Sequence, residues 1–213
     1  MVMVSGILGK KIGMTQVFDE EGRALPVTAL QAGPCVVVQR KTADKDGYEA
    51  AQVGLVEFIK PHRVSKPAKG HFDKAGVEPV RFLKEFKLQG ASSEDVKAGD
   101  RVLASQFKPN QKLDVTAKSK GRGFQGVVKR HGFGGGPDTH GSMTHRIPGS
   151  IGQCSYPSKV LKGTRMGGRY GGKRITTIGL EIVQVLEEDN VILVKGAVPG
   201  PNGGYVEMRR SRK

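Results

Sequence analysis

Between residues 117 and 174 the chain reads AKSKGRGFQGVVKRHGFGGGPDTHGSMTHRIPGSIGQCSYPSKVLKGTRMGGRYGGKR, and no other feature constrains its fold as strongly. These 58 residues hold twelve Lys or Arg, fifteen glycines and a single acid, Asp138. Large apolar side chains are few, so the stretch has little surface to bury against the entropy of its own ordering. It is also too long for an ordinary connection inside a compact domain. The segment is therefore read as an excursion that takes its order from a polyanionic partner, with RNA the leading candidate.

The remaining 155 residues carry 23 basic and 19 acidic groups, so +11 of the chain's +15 lies in the excursion. Both signs are well represented outside it, as in a folded basic protein with a core of its own. A membrane reading is weak. No run approaches the roughly 18 apolar residues of a spanning helix, and the apolar run from Met1 to Leu8 is short for a signal peptide, with its basic residues after it. Cys35 and Cys154 stand far apart, which fits reduced thiols in a cytosolic, cytoplasmic protein better than a disulfide framework. Trp is absent and aromatic residues make up 6%, against recognition built mainly on stacked bases.

Outside the excursion the pattern is mostly β. Gly6–Lys11, Met14–Phe18, Ala24–Leu30 and Cys35–Lys41 read as strands, with a turn at Asp19–Gly22 and a break at Ala32-Gly33-Pro34. Cys35-Val-Val-Val38 is continuously apolar and so reads as buried. Lys45-Asp46-Gly47 closes a hairpin into the alternating run Tyr48–Phe58. Residues 61–99, punctuated by Pro61, Pro67 and Pro79, read as a small α/β insertion with a helix at Lys66–Ala75 and a strand at Val80–Leu88. A turn at Ala98–Asp100 leads into a strand at Arg101–Ala104, and Leu113–Thr116 launches the excursion. Ile175–Leu186, Val191–Lys195 and Tyr205–Met208 resume the β pattern before a basic tail from Arg209 to Lys213. Short strands joined by turns predict one β-barrel, built from residues 1–116 and 175–213, with 117–174 projecting from it.

Motifs inside the excursion favour binding over chemistry. Gly121-Arg-Gly123-Phe-Gln-Gly126 matches a dinucleotide fingerprint in letters only. It lacks the preceding buried strand, and the region about 20 residues on holds His145 and Arg146 in place of a ribose-binding acid. Read instead as a helix from Gly123 to His131, it places Phe124, Val127, Val128 and His131 on one face, Arg122, Lys129 and Arg130 outward, and free N–H groups at its start. An amphipathic helix with a merely solvated basic face fits the same letters. His131, His140, His145 and Cys154 lack the close paired ligands of a zinc site. Asp138, Ser142 and Ser150 offer no acid–base set. The runs Gly134–Pro137 and Gly167–Gly172 read as backbone threading between phosphates. Neither enzyme activity nor cofactor nor metal is implied.

The run Asp114-Val-Thr-Ala117-Lys-Ser119-Lys-Gly121-Arg122-Gly123-Phe-Gln-Gly126-Val-Val-Lys-Arg130 resembles the universal large-subunit ribosomal protein family "L three" (uL3) in its bacterial form. So do Gly132-Phe133, Gly141-Ser142, His145-Arg146, Pro148–Gly152, Lys162-Gly163 and the opening Gly6-Ile-Leu-Gly-Lys-Lys-Ile-Gly-Met-Thr15. The resemblance covers essentially the whole chain. It implies a translation-protein-type β-barrel on 23S rRNA near its 3′ end, an extension reaching toward the peptidyl transferase centre, a role early in subunit assembly, and neighbouring large-subunit proteins. In bacterial relatives a glutamine in this Gly-Ser-Ile-Gly-Gln context is N-methylated, which implies Gln153 as the substrate of a glutamine methyltransferase. Cys154 departs from the Asn common there.

The expected function is thus a structural rRNA clamp in the large ribosomal subunit. Lys118, Lys120, Arg122, Lys129, Arg130 and Arg146 are assigned to phosphates, as are Lys159, Lys162, Arg165, Arg169 and Arg174, with Arg favoured where two oxygens are met at once. Ser119, Gly121 and Gly123 allow close backbone approach. Gln125, His131, His140 and His145 are suited to 2′-hydroxyls or base edges. The rival readings are a general DNA-architectural protein and an RNA-acting enzyme.

Overall fold

A computed structural model describes residues 4–88 and 96–211. Residues 1–3, residues 89–95 of the expected insertion, and Arg212 and Lys213 of the expected tail lie outside the described residues. In chain order the strands are β1 (Gly6–Phe18), β2 (Ala24–Ala32), β3 (Cys35–Lys41), β4 (Ala50–Leu55), β5 (Leu83–Lys87), β6 (Arg101–Val102) and β7 (Lys112–Lys118). They continue with β8 (Gly121–Gln125), β9 (Gly168–Gly171), β10 (Arg174–Leu186), β11 (Val191–Lys195) and β12 (Tyr205–Arg210). The α-helices among the described residues are α1 (Ala43–Asp46), α2 (Lys66–Ala75) and α3 (Val127–His131). The protein is mostly β.

Six strands close a barrel in the order β1-β12-β7-β10-β11-β2, with every neighbour antiparallel. Closure leaves no unpaired edge and buries the inward side chains of alternating strands. Ile7, Leu30, Leu113, Ile182, Ile192 and Met208 are fully buried there, each stabilising the fold by about 1.5–3 kcal/mol through apolar burial. The two strands expected at Gly6–Lys11 and Met14–Phe18 are one, bent at a register shift between Lys11 and Gly13. Lys11 is itself buried, and its Nζ donates to the Val198 carbonyl at 2.7 Å, holding the loop between β11 and β12.

β3 and β4 do not join the barrel wall, as the sequence pattern had them do. They form a second sheet in the order β5-β4-β3-β6. The reason lies in Cys35-Val-Val-Val38, where successive side chains point to opposite faces. Cys35 and Val37 enter the main core with Val53 and Phe86, whereas Val36 and Val38 pack with Phe72 of α2 and with Val80. A strand apolar on both faces needs cover on both, and a solvated barrel wall offers only one. The hairpin between β3 and β4 forms as expected, but its turn is the single helical turn of α1, ended by Gly47. Arg209 and Arg210, expected in a free tail, belong to β12; Arg210 lies opposite Leu113 and donates to the Gln106 carbonyl at 2.8 Å.

The chain divides into two compact units, one made of residues up to Lys118 and from Arg174 onward, the other of Ser119–Lys173. β7 and β10 are barrel neighbours, with Lys118 opposite Arg174, so the chain leaves and re-enters the barrel unit at one register position.

Candidate nucleic-acid interface

Ser119–Lys173 contains ten Lys or Arg and one acid, Asp138. Its ends are pinned by two bonds, Ser119 N–H to the Lys173 carbonyl at 2.9 Å and Lys173 N–H to Ser119 Oγ at 3.2 Å. β8 and β9 then form a two-stranded ribbon with Phe124 opposite Arg169 and Gln125 opposite Gly168. The helix expected from Gly123 to His131 is therefore halved. Gly123 sits at φ +66°, outside the right-handed helical region and open to glycine at low cost. The helix starts only at Val127, and Phe124 is left on the strand, 79% exposed. At five residues α3 is too short to offer an anion site at its start. Its last turn instead gathers Lys129, Arg130 and His131, and the charges of Lys129 and Arg130 complement the carbonyl end.

The ribbon and α3 are joined through one backbone segment. Arg130 Nη1 donates to the Met166 carbonyl at 2.7 Å, and His131 Nε2 lies 3.0 Å from the same oxygen. The Arg130 guanidinium rests so near Gly168 that a Cβ there would stand 2.5 Å from Nη1. Further along, Gly136 N–H donates to the His145 carbonyl at 3.0 Å, and a Cβ on Gly135 or Gly136 would collide with the carbonyls of His145 or Thr144. His145 Nδ1 lies 2.9 Å from the Pro137 carbonyl and 3.6 Å from Asp138. At Gly135, Gly136 and Gly168 the bare main chain thus lets the chain approach itself closely.

Lys120, Arg122, Lys129, Arg146, Lys159, Lys162, Arg165 and Arg169 are exposed, and so are Gly121, Gly123, His140 and His145. Ser119, Gln125, Arg130 and His131 are half-buried. Gln125 donates its amide to the Arg122 carbonyl, so part of its bonding capacity is used within the ribbon. Arg146, Lys159 and Lys162 lie on irregular stretches apart from the β8–β9 ribbon. Val127 is the one buried residue of the unit. Lys118 and Arg174 belong to the barrel unit, where Arg174 is engaged: its Nη2 lies 2.6 Å from Oε2 of buried Glu207. Glu207 also has Lys84 at 3.5 Å and Arg209 at 4.0 Å.

Sequence reasoning missed three residues. Lys173 is an exposed cation that follows from the same charge count as its neighbours. Glu207 as the anchor of Arg174 had no local signal, because 33 positions separate them. Phe124 was misplaced through the helix reading. Among the described residues no three His, Cys, Asp or Glu come together to hold a metal ion, and no helix is long and apolar enough to cross a membrane. Gln153 and Cys154 are exposed.

Ten cations against one acid leave like charges facing one another, and their field is relieved when polyanion phosphates replace the surrounding counterions. A unit of this charge, spliced between two strands of a β-barrel, is electrostatically suited to a polyanion. Sequence comparison carries this further. The family described as Ribosomal protein L3 matches residues 87–191. A protein of Solibacter usitatus named "Large ribosomal subunit protein uL3" is 61% identical over 99% of this chain and 100% of its own length. Proteins of the same name from Acidothermus cellulolyticus and Koribacter versatilis are 52% and 51% identical, each over 99% of this chain and over 94% and 88% of their own lengths. The chain belongs to the ribosomal protein L3 family, whose members are structural proteins and not enzymes.

Proposed function

We propose that this protein is a structural constituent of the large ribosomal subunit that clamps 23S rRNA near its 3′ end and helps to nucleate subunit assembly. The barrel unit docks on the RNA surface, and Ser119–Lys173 extends between rRNA helices toward the peptidyl transferase centre. Neighbouring large-subunit proteins complete its surroundings, and Gln153 is the residue a glutamine methyltransferase modifies. The observation that carries this reading is the set of exposed cations in Ser119–Lys173, with Asp138 the unit's sole acid. Family membership supports the choice of rRNA among polyanions. A-form RNA presents a deep, narrow major groove, so recognition here is of phosphates, 2′-hydroxyls and shape.

The test is a titration of the full chain against a large-subunit rRNA 3′-domain fragment, with excess duplex DNA and over a range of salt. If about eight phosphates are neutralised, log K falls with log salt at a slope of about −6 to −7. A slope shallower than about −2 removes the electrostatic clamp. Binding erased by the DNA puts a general nucleic-acid-architectural role ahead.

A further inference from the structure

Phe124 stands out in Ser119–Lys173 because a large apolar ring is held outward by a built seat. A Cβ on Gly167 would lie 3.2 Å from Cε1 and 3.3 Å from Cζ of the ring, so the ring rests against a bare stretch of main chain. That main chain is fixed in turn: the adjacent Met166 carbonyl takes Arg130 Nη1 at 2.7 Å and faces His131 Nε2 at 3.0 Å. Gly168, also without a side chain, pairs with Gln125, and Arg169 pairs with Phe124 itself. The ring is nevertheless 79% exposed, its cross-strand partner Arg169 is an exposed cation, and so is Arg122 two positions earlier in the chain. One side of the ring is thus supported while the rest meets solvent, within a unit of ten cations and one acid.

An apolar partner such as a protein core would have to desolvate those flanking guanidinium groups, which is unfavourable without paired anions. An unpaired nucleobase brings a flat π-face for the ring and a phosphate on each side for the cations, the combination by which single-stranded nucleic acid is held. We propose that Phe124 is a stacking platform for one unpaired RNA base, with Arg122 and Arg169 taking the flanking phosphates. The proposal rests on the rRNA-clamp reading but adds to it a base-contacting site, at a place where composition argued against stacking.

Two measurements test it on the full chain. Against the rRNA 3′-domain fragment, Phe124→Ala weakens binding about ten-fold with the salt slope unchanged, because no charge is lost. Phe124→Tyr and Phe124→Trp retain binding, Phe124→Leu does not, and Arg122→Ala or Arg169→Ala reduces the salt slope by about one each. Since the ring is exposed, these variants keep the wild-type melting temperature. Wild-type affinity in Phe124→Ala, or in Phe124→Leu, overturns the stacking site. The second measurement compares a short oligoadenylate with an abasic oligonucleotide of equal length. The wild type prefers the former, and Phe124→Ala loses that preference; a preference that survives in Phe124→Ala also overturns the site. If the wild type fails to distinguish rRNA from duplex DNA yet shows the Phe124-dependent preference for bases, the clamp reading fails and the platform stands.

Discussion

The barrel unit and Ser119–Lys173 resolve the same problem, satisfying backbone polar groups, with opposite materials. In the barrel unit, ladders of antiparallel strands close on themselves, and one apolar core runs from Leu30, Leu113 and Ile182 to Val37, Val53 and Phe86 of the second sheet. Side chains carry the order there. In Ser119–Lys173 the order is carried by main-chain contacts: Gly136 against His145, Met166 held by Arg130 and His131, and Gly168 under a guanidinium. Val127 is the unit's one buried residue, so its native contacts remove little apolar surface from water. The difference teaches that one chain can pair a unit ordered by apolar burial with a unit that buries almost none of its own surface.

Amide hydrogen exchange gives the widest test of that contrast. Amides of β7, β10 and β11 exchange only through global opening and are protected by several orders of magnitude, whereas those of the irregular, exposed residues 146–163 exchange near the free-chain rate in the isolated protein. Equal protection across both regions breaks the comparison. A paired substitution sharpens it. Ile182→Ala removes a fully buried side chain and costs about 2–5 kcal/mol in urea unfolding, while Arg146→Ala, on an exposed loop, stays within about 0.5 kcal/mol of wild type but weakens rRNA binding.

The smallest effect concerns pH. Lys10, which donates to Glu57 at 2.6 Å, holds that carboxyl below its ordinary value, aided by the Tyr205 hydroxyl. Lys41 and Tyr48 do the same for Glu85. Both carboxylates ionise more readily folded than unfolded, so their stabilisation is complete above the unfolded value near pH 4.3 and is lost as pH falls through the lowered folded values. Replacing both by Gln flattens the acid limb of the melting-temperature curve, by under about 1 kcal/mol for partly exposed pairs. An acid limb identical to wild type refutes these assignments.

What could be read in advance followed from local pattern. β3, α2 and β11 fall at Cys35–Lys41, Lys66–Ala75 and Val191–Lys195, the bounds that periodicity and turn residues mark. Burial of Cys35–Val38 was legible too, but its sheet was not, because partners such as Phe72 and Val80 come from far along the chain. At the interface, charge was legible from counting. Whether a cation is free or engaged was not: Arg130 and Arg174 read like Arg146, yet one holds Met166 and the other Glu207. Phe124 was hidden by a single backbone angle at Gly123.

The pairing of Lys118 with Arg174 has a consequence for how the molecule can vary. Because departure and return share one register position, barrel closure sees the excursion only as a loop between fixed ends. Each doubling of such a loop raises the closure cost by only about 0.6 kcal/mol. Insertions and deletions within it are therefore nearly invisible to the barrel, whose closure depends on where the loop's ends meet and hardly at all on its length.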